Sequence, residues 1–374
     1  MNIVFLSHEY PVWASGGIGT FLQTYGRALV RHGHQVTVIG PGKEAKEITL
    51  DDQGVALIRL AANTKKWLPN FSHNARQINK KLKQLHAQKP IDIIEASELG
   101  LALLSRKHPA KKVIRLHGGH HFFSEAENRG INWRRGWLEK KSFTKADGFI
   151  AVSNYVKEHT AKYLSYQTAK LATISYPINT DKPMLDLPVN DNRLLFAGTI
   201  CEKKGVRQLI QAFAIVRKSY PSLHLDIFGR EWFYPDGQSY TEEIQQELEA
   251  SNFENVHFEG EVSREVLDTK YAQARVCVFP SHMETQGLVS IEAMLLQKPV
   301  VFSKYGPGPE TIEHGVTGLL CDVYDPKDIA TQIIWCIENP KKAQELGIKG
   351  RQFVLKKYNL ETAITNNIEF YKSL

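Results

Sequence analysis

Short apolar, β-branched runs alternate along this chain with helix-length amphipathic segments, and the scheme occurs twice. In the first half NIVFLSH, HQVTVIG, VALIRL, IDIIEAS, KVIRLH and GFIAVS read as strands apolar enough to be buried on both faces, with helical patterns over 18–31, 74–88, 133–145 and 154–164. In the second half RLLFAG, LHLDIFG, NVHFEG, RVCVFP, PVVFS and TGLLC alternate with helices over 206–218, 241–251, 264–274 and 288–296. Strand–helix alternation predicts an α/β protein with doubly wound parallel sheets. Turn-forming residues cluster in SYPINTDKP, so the domain boundary is expected near Tyr176, with a cleft between the carboxyl edges of two sheets.

Composition adds limits. A chain of 374 residues, 42% hydrophobic and 23% charged, has enough apolar side chain for two cores and no bias toward disorder. Neither a spanning segment nor a secretory signal is expected, since no apolar run is long enough and MNIVFLSHEYPVW has no basic lead. Cys201, Cys277, Cys321 and Cys336 are too scattered for a metal motif or a disulfide scaffold, which fits a reducing cytoplasm.

Charge is unevenly placed. Residues 1–176 hold 26 Lys and Arg against 13 Asp and Glu, while the remainder is net acidic. Between Gln53 and Ile91 there is no acidic residue, whereas Arg59, Lys65, Lys66, Arg76, Lys80, Lys81, Lys83 and Lys89 accumulate with Trp67 and Phe71 among them. Such a stretch can face anionic lipid, nucleic acid or an anionic substrate, or be a solvated helix face.

Two segments carry candidate chemistry. After the first strand, PVWASGGIGT places Gly16, Gly17 and Gly19 where backbone amides can approach a phosphate, or where a strand-to-helix turn is tight. The second strand ends in Ile39-Gly40-Pro41-Gly42-Lys43, without the acidic residue that a dinucleotide ribose requires, which counts against a dehydrogenase. In FPSHMETQGLVSIEAM a strand end is followed by Glu284 in a loop and Glu292 in the second turn of a helix starting near Gly287. Both carboxylates can then accept from ligand hydroxyls, while the amides of Gly287 and Leu288 suit a diphosphate. A solvent-facing Glu284 and a helix-stabilising Glu292 are the plain alternative.

These segments, with RLHGGH, FAGTICEKKGVRQLIQAF, LDIFG, VHFEGEVSREVL, GPGPETIEHGVTGLL and DPKDIA, occur in the order of a known family over nearly the whole chain. The chain resembles the retaining GT-B glycosyltransferases of family 4, the glycogen-synthase-like and bacterial polysaccharide and lipid glycosyltransferases. The resemblance implies two Rossmann-like domains facing across a cleft. Residues 1–176 would bind the acceptor, completed by a C-terminal helix in 359–374, and residues 177–358 the nucleotide sugar. It implies that Glu292 holds the donor ribose, Glu284 the transferred sugar's hydroxyls and Gly287 with Leu288 the diphosphate. His117 would contact the transferred sugar and Lys204 the phosphates, with Gly16, Gly17, Gly229 and Gln286 lining the substrate sites. Thr199 stands where many members carry arginine, and Lys203 is a candidate replacement. Thr285 and Gln286 depart from the family's usual run and are candidates for tuning sugar choice.

The implied reaction transfers a hexose or N-acetylhexosamine, with retention, to a glycan or lipid-linked acceptor in cell-surface polysaccharide or glycoconjugate synthesis. A UDP-sugar is favoured over a GDP-sugar, no divalent metal is required, and nucleic acid is not expected as a partner. The location expected is cytoplasmic, peripheral on the inner membrane face. His120 and His121 read as loop donors, since the HGGHH spacing is poor for zinc. A nucleotide-sugar epimerase and a non-catalytic nucleotide-sugar binding protein are the alternatives on the same architecture.

Overall fold

The computed structural model describes residues 1–13, 16–64, 69–126, 130–180, 183–250 and 254–374. The chain forms two compact units, Met1–Asn179 with Tyr358–Leu374, and Thr180–Lys357.

In the first unit β1 (Asn2–Leu6) leads to α1 (Gly17–Arg31), β2 (Gln35–Pro41), β3 (Ile48–Asp52) and β4 (Val55–Leu60). Next come α2 (Asn70–Gln88), β5 (Ile93–Ala96), β6 (Lys111–Leu116), α3 (His120–Ala126), α4 (Trp133–Phe143), β7 (Gly148–Ala151), α5 (Asn154–Ala161) and β8 (Lys170–Thr173). The second unit runs β9 (Asn190–Ala197), a 3-10 turn Glu202–Lys204, α6 (Val206–Arg217), β10 (His224–Phe228), α7 (Tyr240–Ala250), β11 (Val256–Gly260), α8 (Arg264–Gln273) and β12 (Ala274–Phe279). It finishes with α9 (Leu288–Leu295), β13 (Val300–Ser303), α10 (Gly308–Thr311), β14 (Leu319–Cys321), α11 (Pro326–Glu338) and α12 (Pro340–Lys357), before α13 (Leu360–Lys372) rejoins the first unit.

The two sheets have the orders β3-β4-β2-β1-β5-β6-β7-β8 and β11-β10-β9-β12-β13-β14. Among the described strands, pairings are parallel except β3 with β4, so the first sheet carries one antiparallel edge strand beyond the parallel pattern expected. Strand order reverses between β1 and β5 in one sheet and between β9 and β12 in the other, and ligands of such sheets bind outside the carboxyl ends of the strands at these switch points. Central strands such as β1 and β7 are buried at every residue, as strands covered on both faces must be. Among the described residues no helix is long and apolar enough to cross a membrane.

The return of α13 is specified by charge as well as by apolar packing. Asn359 caps it by accepting from Thr362 N at 3.1 Å, and Leu360, Ala363, Ile364, Ile368 and Phe370 are buried. Beneath it, fully buried Arg115 donates from Nε to Glu95 at 2.7 Å and from Nη2 to Asn367 Oδ1 at 2.6 Å, while Tyr371 Oη donates to Glu95 at 2.5 Å. Arg115 also lies 4.8 Å from the Phe21 ring centroid on α1. Burying that guanidinium is tolerable because Glu95 pairs its charge and α13 adds an acceptor at Nη2, although Nη1 is buried without a hydrogen-bond partner among the described residues.

Candidate functional site

The second unit gathers its polar groups at the β9/β12 switch point. From the β9 side, Gly198 and Thr199 lead into the turn that carries Lys203 and Lys204; from the β12 side, Pro280 leads to Ser281, Glu284 and α9. The backbone joins the two loops, His282 N donating to Lys203 O at 2.9 Å. Lys204 Nζ donates to Glu284 Oε1, and Ser281 Oγ donates to the same oxygen at 3.1 Å. Thus the expected phosphate cation and the expected sugar-binding carboxylate, distant in sequence, are paired with each other.

Glycines make this edge possible. Gly229, just after β10, has φ +144°, and a Cβ there would lie 1.8 Å from Gly198 O, so a side chain would force the two strand ends apart. Gly287 caps α9 at φ +76°, and a Cβ would meet Phe302 Cζ at 2.5 Å. With no side chain capping it, the amino end of α9 keeps Leu288 and its neighbours available to an anion. Gln286 is buried, its carbonyl accepting from Thr311 Oγ1 at 3.3 Å.

Glu292 lies in α9 at 8% exposure. Its Oε1 pairs with Arg264 Nη2 of α8, while Oε2 is buried without a hydrogen-bond partner among the described residues. A buried carboxylate oxygen left bare is costly unless a ligand completes it, and a ribose hydroxyl has the right chemistry. Arg264 escaped the sequence reading: it opens a helix remote in sequence, where no spacing ties it to Glu292. Arg230 escaped it too. This exposed residue follows Gly229, and its carbonyl accepts from Ile200 N at 2.9 Å, so it borders the loop that holds Thr199.

In the first unit His117 follows β6. Its Nδ1 is hydrogen-bonded to Tyr176 Oη, and the rings stack at 5.7 Å. Burial, with Arg115 adding to it, pushes the imidazole down to about 3, so His117 is neutral and can only exchange hydrogen bonds at ordinary pH. The following residues rest on two buried carboxylates. Glu98 accepts from Gly118 N at 2.8 Å, and Glu139 of α4 accepts from the backbone N–H groups of His120 and His121 and pairs with His121 Nδ1. Burial, with the Glu139 charge adding to it, pushes Glu98 up to about 8. His120 and His121 are therefore not loop residues as expected; they open α3, and Glu139 is what holds them there.

The glycine loop differs from expectation in its occupant. Gly17 starts α1, but Gly19 N donates to Glu9 Oε2 at 3.2 Å, so a carboxylate of the chain itself sits at the amino end foreseen for a phosphate. The basic stretch also needs correction at Arg59. As part of β4, flanked by β2 and β3, Arg59 is buried, donates from Nη1 to Ser7 O at 2.6 Å and lies 4.4 Å from the Trp13 ring centroid. Lys81 pairs with Glu47 at 2.6 Å and Phe71 is 60% exposed, while Lys65, Lys66 and Trp67 lie outside the described residues.

Comparison with known proteins agrees with this two-unit architecture. Residues 15–182 match the model for Glycosyltransferase Family 4, and residues 177–353 that for Glycosyl transferases group 1. The chain belongs to the family 4 glycosyltransferases. It is 24% identical to glycogen synthase of Mycobacterium tuberculosis, covering 99% of this chain and 94% of that one. Sucrose-phosphate synthase of Thermosynechococcus elongatus superposes with TM-score 0.84 at 23% identity, over 100% of this chain and 98% of the other. Anabaena HepE in complex with UDP and glucose superposes with TM-score 0.79 at 19% identity, over the whole of both chains. At these identities the likeness to the solved structures is one of fold, and that fold is GT-B.

Proposed function

We propose that this glycosyltransferase moves a hexose or N-acetylhexosamine from a nucleoside diphosphate sugar, with retention of anomeric configuration, to a glycan or lipid-linked acceptor of cell-surface polysaccharide or glycoconjugate synthesis. The observation that carries the reading is the bare, buried Oε2 of Glu292, in the second turn of a helix whose amino end at Gly287 has no side-chain cap. A ribose on Glu292 puts the diphosphate of the same nucleotide within the field of that amino end. Lys204, Lys203 and Arg230 offset the charge that grows on the departing diphosphate, with no divalent ion required, and Arg230 takes the part of the arginine absent at Thr199. Glu284 exchanges its bond to Lys204 for the transferred sugar's hydroxyls, and Thr285 and Gln286 beside it tune which sugar is accepted. Gly229 and Gly198 let the nucleotide approach the strand ends closely. His117 offers a neutral hydrogen bond to a sugar hydroxyl. HepE was solved with UDP and glucose, which favours a UDP-sugar as donor here.

The acceptor falls to the first unit. Its excess of Lys and Arg favours an anionic acceptor or an anionic surface around it, which supports a peripheral position on the inner face of a membrane. Incubation with a panel of nucleotide sugars and lipid or glycan acceptors, followed by NMR of the product's anomeric proton, tests the reading. An axial donor giving an axial product supports it; an inverted product, a free epimer or binding without turnover overturns it.

A further inference from the structure

Helix α4, WRRGWLEKKSF, has two faces with different work. Gly136, Glu139, Ser142 and Phe143 are buried, and through them the helix is tied inward: Glu139 holds His120 and His121, and Ser142 Oγ accepts from Leu101 N at 3.0 Å. On the opposite face Trp133 and Trp137, one turn apart, are 73% and 54% exposed, with Ile131 just before them exposed as well. The other described tryptophans, Trp13, Trp232 and Trp335, are at least partly covered. Arg134, Lys140 and Lys141 flank the pair, and the helix's single acid, Glu139, points inward. The outward face is thus both cationic and aromatic, in the half of the chain that carries 26 basic against 13 acidic residues.

The cations have a particular relation to the rings. Arg134 Cζ lies 5.2 Å from the Trp133 ring centroid, and Lys141 Nζ lies 4.8 Å from that of Trp137. A ring face covered by the chain's own cation is poorly placed to stack on a sugar. The same arrangement suits a lipid headgroup region, where indoles enter the interface while adjacent cations meet phosphates.

We infer that the outward face of α4 docks on an anionic bilayer surface through Trp133 and Trp137, with Arg134, Lys140 and Lys141 meeting the headgroup phosphates. This rests on the membrane-surface reading above and names the surface, which differs from the basic stretch between Gln53 and Ile91. Because Glu139 sits on the same helix and fixes His120 and His121, docking sets the loop that begins at His117 at a defined height over the leaflet. A lipid-linked acceptor is then met without extraction from the bilayer.

The test is co-sedimentation of the full chain with phosphatidylglycerol/phosphatidylcholine vesicles and with phosphatidylcholine vesicles, at low and high salt. Binding to the anionic vesicles alone, weakened by salt, is expected, with tryptophan fluorescence quenched by brominated lipid. Trp133→Ser/Trp137→Ser and Arg134→Glu/Lys140→Glu/Lys141→Glu should each bind about tenfold or more weakly, while Trp133→Phe/Trp137→Phe retains most binding. Undiminished binding by both multiple variants, no vesicle binding by the wild type, or capture by an acidic polysaccharide but not by vesicles would each overturn the inference. Nucleotide-induced thermal shifts of the same samples show whether the variants are folded. They also separate the two readings, since vesicle binding without nucleotide binding contradicts the proposed transferase chemistry alone.

Discussion

Lys204 and Glu284 are hydrogen-bonded to each other across the switch point of the second sheet, one from the loop after β9 and the other from the loop after β12. The pair keeps a cation and a carboxylate satisfied where a diphosphate and a sugar are proposed to enter, and each partner must then exchange the other for substrate. Glu9 at the amino end of α1 repeats the theme in the first unit.

Lys204→Ala is expected to lower kcat about a hundredfold or more while changing the donor's KM less, because charge on the leaving diphosphate grows toward the transition state. Steady-state kinetics on both parameters check this. A variant whose sole defect is a raised KM would contradict it.

Glu292→Gln keeps the shape of the side chain and removes the charge that Arg264 and the ribose are proposed to share. Nucleotide affinity should fall by about 1.5 to 3 kcal/mol, roughly tenfold to a hundredfold, read by isothermal titration. Arg264→Met should weaken binding less, since Glu292 retains its acceptor oxygens. Equal affinity of Glu292→Gln and wild type would remove the ribose assignment.

Arg230→Ala should cost donor affinity, and Thr199→Arg placed on that background should restore part of it, because the new side chain returns an arginine to the neighbouring strand end. Competition binding with the nucleoside diphosphate decides. No loss in Arg230→Ala, or no recovery in the double variant, counts against Arg230 as the substitute cation.

Glu98 gives a pH signature. Its ordinary value of 4.5 is raised to about 8 in the folded chain by burial, so the folded state holds the proton more tightly than the unfolded state. Its contribution to stability is whole below about 4.5, declines as pH rises toward about 8 and is flat above. Glu98→Gln, which cannot ionise, should flatten the decline in urea-unfolding free energy across that window. A slope unchanged by the substitution would contradict an elevated Glu98.

How much could be read in advance follows from which side chains each element buries. Strands such as NIVFLSH and RVCVF, covered on both faces, are nearly continuous apolar runs and stand out from the sequence. The edge strand β3, ITLDD, is largely exposed and shows no such run, and β8, KLAT, is too short and polar. The helix starting at Gly287 was legible because a strand end, a glycine and an apolar run follow one another. The partnerships that shape the site were not. Arg264 with Glu292, Glu139 with His121 and Glu9 with Gly19 join residues that only the fold brings together. Arg59 illustrates the reverse: counted as surface charge in a basic stretch, it sits in VALIRL, a run whose apolar pattern already implied burial.

A thermal-shift panel of UDP, GDP and ADP and their sugars against wild type, Glu292→Gln and Lys204→Ala tests the donor site most directly. One nucleoside diphosphate series, expected to be that of UDP, should raise the wild-type Tm, with a shift much reduced in Glu292→Gln and a smaller reduction in Lys204→Ala. If no nucleotide moves the wild-type Tm, or Glu292→Gln responds as the wild type does, the donor site proposed in the second unit is wrong.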